Sequence, residues 1–294
     1  MTSNPPGEPA LQTMRLACGI DLAFRAAGDR ARPALVLLHG FPSSSRTFRR
    51  VIGPLSRLAY VVAPDLPGFG ASDVLDRPSF SAFSDCVEEL LERLEVGERF
   101  IYLHDFGAPV GLRLAMRAPH RVRGLVIQNA NAHRSGLGPQ WADTMEFWSA
   151  PDARNEAAAT AHLTPDGLRD QYVGGLPAEL APRIDPRVWA EDWRVMGLPG
   201  RMETQRALIA DYASHVARFD EIASYLAAHQ PPALLLWGRH DPFFDLAEVS
   251  SWLAALPRME AYIFDAGHFL LETHADQPTR LMDEFLAPRL TPRP

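Results

Sequence analysis

Two carboxylates and an imidazole stand where the chain passes from a short apolar run into a turn. Asp105 lies in Tyr102-Leu103-His104-Asp105-Phe106-Gly107-Ala108-Pro109, Asp241 in Trp237-Gly238-Arg239-His240-Asp241-Pro242, and His268 in Phe264-Asp265-Ala266-Gly267-His268-Phe269. The first string is a strand followed at once by a small-residue turn and a helix, the setting that lifts a nucleophile to the top of a sheet. Nucleophile, acid and histidine in that chain order make a relay. A carboxylate attacking an ester or amide would form an anhydride, so Asp105 suits displacement at a saturated carbon instead. His268, oriented by Asp241, would then take a proton from the water that hydrolyses the resulting ester. The string His39-Gly40-Phe41-Pro42 follows an earlier apolar run. The backbone N–H groups of Phe41 and Phe106 are candidates for an oxyanion hole, in which one donor is worth about 3 kcal/mol.

Each residue also has a plainer reading when taken alone. Asp105 reads as a helix cap, Asp241 as an Asp-Pro turn starter, His268 as a surface histidine and His39-Gly40 as an ordinary strand-to-loop turn. Agreement of all of them with chain order and context favours the relay. Asp245 is the fallback acid if Asp241 points away.

The elements that must hold these groups are legible. Apolar runs at 34–38, 60–63, 100–103, 125–127, 233–237 and 261–264 lack alternation and read as strands buried on both faces. Helical stripes lie between them: Val87, Leu90, Leu91 and Leu94 in 84–94, and Leu112, Leu114 and Ala115 in 110–117. Strands alternating with helices imply a mostly parallel sheet covered on both sides, with functional groups at the strands' carboxyl ends. The strand signal stops between about 131 and 230, where 151–162 and 203–216 read as helices, and Gln230-Pro231-Pro232 marks the return to the sheet. A last helix is expected over 277–286. The expected organisation is a core of 15–130 and 231–290, a helical insertion of 131–230 and a flexible tail of 1–14.

The 294 residues, 47% hydrophobic, suffice to bury a core without disulfide or metal support. The net charge of −7 argues against nucleic acid as the main partner. No apolar run is long enough for a membrane span or a secretory leader. Cys18 and Cys86, the two cysteines, lie far apart in sequence and are expected as buried or half-buried thiols, a usage that fits the cytoplasm. No HExxH, GxGxxG or P-loop occurs in a suitable context, so neither metal nor organic cofactor is expected. The expected partners are a small apolar organic substrate and water, in a monomer or homodimer. Other histidines, among them His133, His162 and His215, read as surface or cap residues.

Through HGFP, DLPGFGASD (Asp65 to Asp73), HDFG and AGHF, the chain resembles the α/β-hydrolase superfamily over about residues 15–288. HDFG resembles the branch with an aspartate nucleophile, which holds soluble epoxide hydrolases and haloalkane dehalogenases. The resemblance implies the α/β-hydrolase fold, a cap domain made by the helical insertion, and epoxide hydrolysis as the leading activity. Epoxide hydrolases of this branch use two cap tyrosines on the leaving oxygen. Tyr212 resembles the second; the first is expected near Phe147-Trp148, where no tyrosine stands, so Tyr172 or Trp148 is a substitute. Haloalkane dehalogenases use a Trp after the nucleophile and an Asn or Trp elsewhere; here Phe106 and Phe41 hold those places. Fluoroacetate dehalogenases fit Trp148 and Tyr212 but use arginines where Phe106 and Pro109 stand. A serine esterase is disfavoured because no G-x-S-x-G occurs and Ser43-Ser44-Ser45 sits in the loop after HGFP. A lyase, cyclase or binding protein on the same fold is the alternative of another class.

Overall fold

The structure, a computed structural model, describes residues 9–290. Its eight strands are β1 (Leu11–Arg15), β2 (Asp21–Ala27), β3 (Ala34–Leu38), β4 (Tyr60–Pro64), β5 (Arg99–His104), β6 (Val122–Gln128), β7 (Ala233–Gly238) and β8 (Glu260–Phe264). They form one sheet in the order β1-β2-β4-β3-β5-β6-β7-β8. Only the β1–β2 and β2–β4 pairs are antiparallel. The six apolar runs all become strands. Every residue of β3, β4, β5, β6 and β7 is buried, which is why these strands show no polar alternation.

Two strands escaped the sequence pattern. Four of the five β1 residues are exposed, and β2 is mixed, so neither forms an apolar run. The expected tail of 1–14 is corrected accordingly: Leu11–Arg15 pairs with β2, and the core starts before residue 15. Residues 1–8 of that expectation lie outside the described residues.

Twelve helices are seen among the described residues: α1 (Ile52–Leu55), α2 (Phe80–Arg93), α3 (Gly107–Arg117), α4 (Ala142–Ser149), α5 (Ala153–Ala159), α6 (Pro165–Val173), α7 (Arg187–Met196), α8 (Arg201–Val216), α9 (Phe219–His229), α10 (Ala247–Ala255), α11 (Leu270–Thr273) and α12 (Asp276–Leu286). Side chains of β3 divide by the two-residue period of a strand: Val36 and Leu38 pack on the face that α2 and α3 cover, Leu35 and Leu37 on the face of α1 and α12. Each such aliphatic burial contributes about 1.5–3 kcal/mol. Helices α4 to α9 fill the segment between β6 and β7. There α4 packs on α5 and α8, and α6 on α7, whereas α9 packs on α3 and α10 and belongs to the layer against the sheet. The helix expected over 151–162 is shorter, because Asp152 accepts the Asn155 N–H at 2.8 Å to open α5 and Thr160 closes it.

Of the two cysteines, Cys86 is buried as expected and Cys18 departs from expectation. Cys18 is exposed on the β1–β2 turn, and it meets the buried Cys86 of α2 with the sulfurs 3.9 Å apart. Among the described residues no helix is long and apolar enough to cross a membrane.

Candidate active site

The chain leaves β5 and enters α3 through Asp105, whose φ of 47° is left-handed. A non-glycine residue held there costs about 1–3 kcal/mol, and such strain is typical of functional turns. The carboxylate is anchored by the two predicted backbone donors. Phe41 N–H donates to Asp105 Oδ1 at 2.7 Å, and Phe106 N–H donates to the same carboxylate.

Two features bring Phe41 into place. A Cβ on Gly40 would lie 2.3 Å from the Asp105 Cβ and 2.6 Å from Oδ1, so only glycine fits there. The buried His39 ring braces the same loop: Leu66 N–H donates to Nε2 at 2.9 Å, leaving the proton on Nδ1, which donates to the Gly40 carbonyl at 3.0 Å. Burial lowers the His39 pKa and keeps the ring neutral.

Asp241 and His268 meet because β7 and the loop after β8 run close together; a Cβ on Gly238 would lie 2.1 Å from the Gly267 carbonyl oxygen. Asp241 Oδ2 accepts from His268 Nδ1 at 2.9 Å and from Asn129 Nδ2 at 2.8 Å. Its Oδ1 accepts the Phe243 N–H at 2.7 Å. The fallback acid Asp245 instead accepts the Ala247 N–H at 2.7 Å at the start of α10. The His268 carbonyl is held by Gln128 Nε2 at 3.0 Å, and Gln128 is itself held by the Tyr102 hydroxyl.

His268 Nε2 faces Asp105 Oδ2 at 3.9 Å and has no hydrogen-bond partner among the described residues. Burial pushes the imidazole pKa down, but the Asp241 carboxylate beside it, its hydrogen bond and the Asp105 charge outweigh burial, and the net direction is up. Burial raises the Asp105 pKa against the pull of His268 and the two backbone donors.

Asp105 opens into a cavity of about 240 Å³. Phe41, Phe106, Ile209 and Phe243 make much of its wall, Gln140 and Asp143 stand exposed at its mouth, and Trp141, His162 and Gln171 also line it. Trp141 Nε1 is spent on the Phe243 carbonyl at 2.7 Å. A wider groove of about 610 Å³ opens beside Ala34, Tyr60 and Glu98, at the opposite strand ends, away from the relay.

The three cap residues expected at the leaving group do not line the cavity, and this corrects the sequence reading. The Tyr212 hydroxyl donates to Asn131 Oδ1. Trp148 stacks on Tyr212 at 6.1 Å and gives its Nε1–H to the Ile209 carbonyl at 2.8 Å. The Tyr172 hydroxyl donates to Asp192 Oδ2, and its ring stacks on Phe269 at 4.0 Å. Buried polar groups take the nearest partner, and here each finds one in the protein. The histidines expected at the surface or in the cap include two that lie within the insertion: His162 lines the cavity, and His215 is fully buried, bonded to the Asn131 carbonyl at 3.0 Å. Asn129 and Gln171 were missed. Asn129 ends the β6 run, a position that could have marked it, whereas nothing in the local pattern marks Gln171.

A family model described as alpha/beta hydrolase fold matches residues 33–275. Among curated proteins, the uncharacterized hydrolase YNR064C of Saccharomyces cerevisiae is 33% identical over 262 residues, 87% of this chain and 90% of that protein. A haloalkane dehalogenase of Bradyrhizobium diazoefficiens is 26% identical over 295 residues, 92% of each chain. Among solved structures, the epoxide hydrolase CorEH matches with a TM-score of 0.77 at 21% identity, over 95% of this chain and 99% of that one, a likeness of fold.

Proposed function

The chain belongs to the α/β-hydrolase fold family and is a hydrolase, and on that premise we propose that it converts a small apolar epoxide to a vicinal diol through an ester on Asp105. The observation that carries this reading is the unequal setting of the two Asp105 oxygens. Oδ1 sits on the Phe41 N–H at 2.7 Å, while Oδ2 faces His268 Nε2 at 3.9 Å. Oδ2 is the oxygen free to attack carbon. Once it is alkylated, Oδ1 is the ester carbonyl oxygen, already resting on the Phe41 N–H, a donor that stabilises negative charge when water adds to Cγ. A water on the unpartnered Nε2 loses its proton to His268, and Asp241 steadies the imidazolium. The tetrahedral intermediate collapses, the diol departs with Oδ2, and the carboxylate regains an oxygen from water.

The polar part of the cavity wall supports an epoxide over a halide. The Gln171 amide both donates and accepts. One His162 ring nitrogen is bonded to the Ala159 carbonyl, and burial lowers the ring's pKa, so the other nitrogen accepts. A hydroxyl formed by ring opening matches donors and acceptors alike, whereas a halide only accepts. Dehalogenation is the second reading. It is favoured by the named relative and by the lack of a tyrosine hydroxyl on this wall among the described residues.

Turnover of styrene oxide and butyl bromide, analysed after one cycle in heavy-oxygen water, separates these readings. The proposal expects a diol whose new oxygen is light, with heavy oxygen left in Asp105. Bromide release without diol formation would favour the second reading. A heavy oxygen in the diol of the first cycle would contradict the ester altogether.

A further inference from the structure

The cap donors that sequence reasoning assigned to the leaving group are all committed: the Tyr212 and Tyr172 hydroxyls and the Trp148 indole bind protein acceptors, and so does the Trp141 indole on the cavity wall. Besides Asp105, one buried polar side chain lines that wall, and it is not committed. Gln171, on α6, is 6% exposed and lines the cavity that holds Asp105, and its amide has no hydrogen-bond partner among the described residues. Its amide atoms are not among the sealed, unpartnered polar atoms of the interior, so the amide is open to the cavity and to whatever occupies it. Its neighbour Tyr172 turns about a quarter-turn further round α6, onto Phe269 and Asp192, so the two successive residues serve different faces of the helix.

We infer that Gln171 is the leaving-group donor of this site: its side-chain N–H receives the atom displaced from carbon when Asp105 attacks. The inference rests on the Asp105-ester reading. The bond from Oδ2 to carbon forms as the carbon–oxygen bond of the epoxide breaks, and the electron pair goes to the departing oxygen. An amide stabilises that oxygen by donating a hydrogen bond but does not surrender a proton. The alkoxide therefore takes its proton from water entering at the mouth beside Gln140 and Asp143, leaving hydroxide. The later hydrolysis of the ester releases one proton through His268, which neutralises that hydroxide and closes the balance to epoxide plus water giving diol. The His162 ring accepts from the hydroxyl so formed.

The role separates the two chemical steps. A donor to the leaving atom speeds ester formation and is idle in ester hydrolysis, where the departing oxygen is Oδ2. Removing a hydrogen bond to a developing charge should slow the first step about 10- to 100-fold. The experiment uses the full chain carrying His268→Gln, in which ester accumulates, with and without Gln171→Met. Styrene oxide is the probe, and the rate is read by intact mass. A second variant, Gln171→Glu, keeps the shape and loses the N–H, so a packing defect peculiar to methionine does not decide the matter.

The expected result is slower ester formation in both variants with unchanged thermal midpoints. Single-turnover ester hydrolysis in the His268-intact forms should be unchanged. Equal rates of ester formation with and without Gln171 would overturn the inference while leaving the Asp105 ester standing. So would equal slowing of both steps, the mark of a general packing role. Turnover of styrene oxide by the unsubstituted enzyme with no ester on His268→Gln would overturn the ester reading, and the inference with it.

Discussion

The charge on Asp105 and the proton on His268 are coupled, and the reaction uncouples them. In the free enzyme Asp241, aided by Asp105, holds the His268 pKa above its ordinary value against burial. Alkylation removes the Asp105 charge and with it part of that support, so the ring gives up its proton more readily just when a base is needed. Ester hydrolysis needs neutral His268 and is therefore lost as pH falls through the ring's pKa. The acid limb of the hydrolysis step, measured by single turnover, should lie below the His268 titration of the free enzyme followed by NMR. An acid limb at or above that titration would contradict the coupling. At this scale Asp105, Asp241, His268 and the Phe41 and Phe106 N–H groups were legible in the sequence, because each follows a strand whose apolar run announces its end. Gln171 and His162 were not, since the direction of a cap side chain depends on how α4 to α8 pack together. The tyrosines were misread for the same reason: the Tyr212 helix is as expected, but the Tyr212 and Tyr172 hydroxyls find acceptors in Asn131 and Asp192.

Loops between elements set the site's precision. The β3 exit is tight because the Gly40 backbone lies against Asp105, and Gly40→Ala would force a Cβ to within 2.3 Å of the Asp105 Cβ. This substitution should displace the Phe41 N–H and reduce activity about 100-fold or more, the scale of losing one oxyanion donor. Near-normal turnover by Gly40→Ala would refute the role given to that loop. On the acid side, Asn129 ties β6 to β7, donating to Asp241 Oδ2 at 2.8 Å and accepting the Gly238 N–H at 2.9 Å. Asn129→Ala breaks both, and should lower stability by about 1–3 kcal/mol and kcat more than KM. Denaturant melts and steady-state kinetics check this; a loss confined to KM would contradict it. The five fully buried strands were legible from composition alone; β8 was legible as a strand too, but three of its five residues are exposed rather than buried on both faces. β1 and β2 were not, because the edge strand β1 is mostly exposed and its neighbour β2 mixes buried and half-buried residues, so neither carries a run of apolar residues that stands out.

Across the whole molecule, the insertion docks on the core through a small buried polar cluster. Arg46, after β3, donates to the Val188 carbonyl at 2.7 Å and lies 3.4 Å from Asp192 of α7, which also accepts the Tyr172 hydroxyl. Burial, opposed by Arg46, pushes the Asp192 carboxyl up to about 7. A carboxyl whose pKa is raised on folding favours the folded state most below its unfolded pKa of about 4, and that contribution is lost as pH rises through the folded value. Thermal stability should therefore fall between about pH 4 and pH 7 in the unsubstituted protein, and fall less in Asp192→Asn. Identical pH profiles would show that Asp192 plays no such part. The insertion itself was legible from the break in the strand pattern, but its inner limit was not: 219–229 falls inside the expected 131–230, whereas the packing of α9 on α3 and α10 assigns it to the layer against the sheet. The central claim, an ester on Asp105, is tested most directly by the intact mass of His268→Gln after exposure to styrene oxide. The account predicts an adduct of the full epoxide mass that maps to Asp105. A variant that stays unmodified by a substrate the unsubstituted enzyme turns over would contradict it.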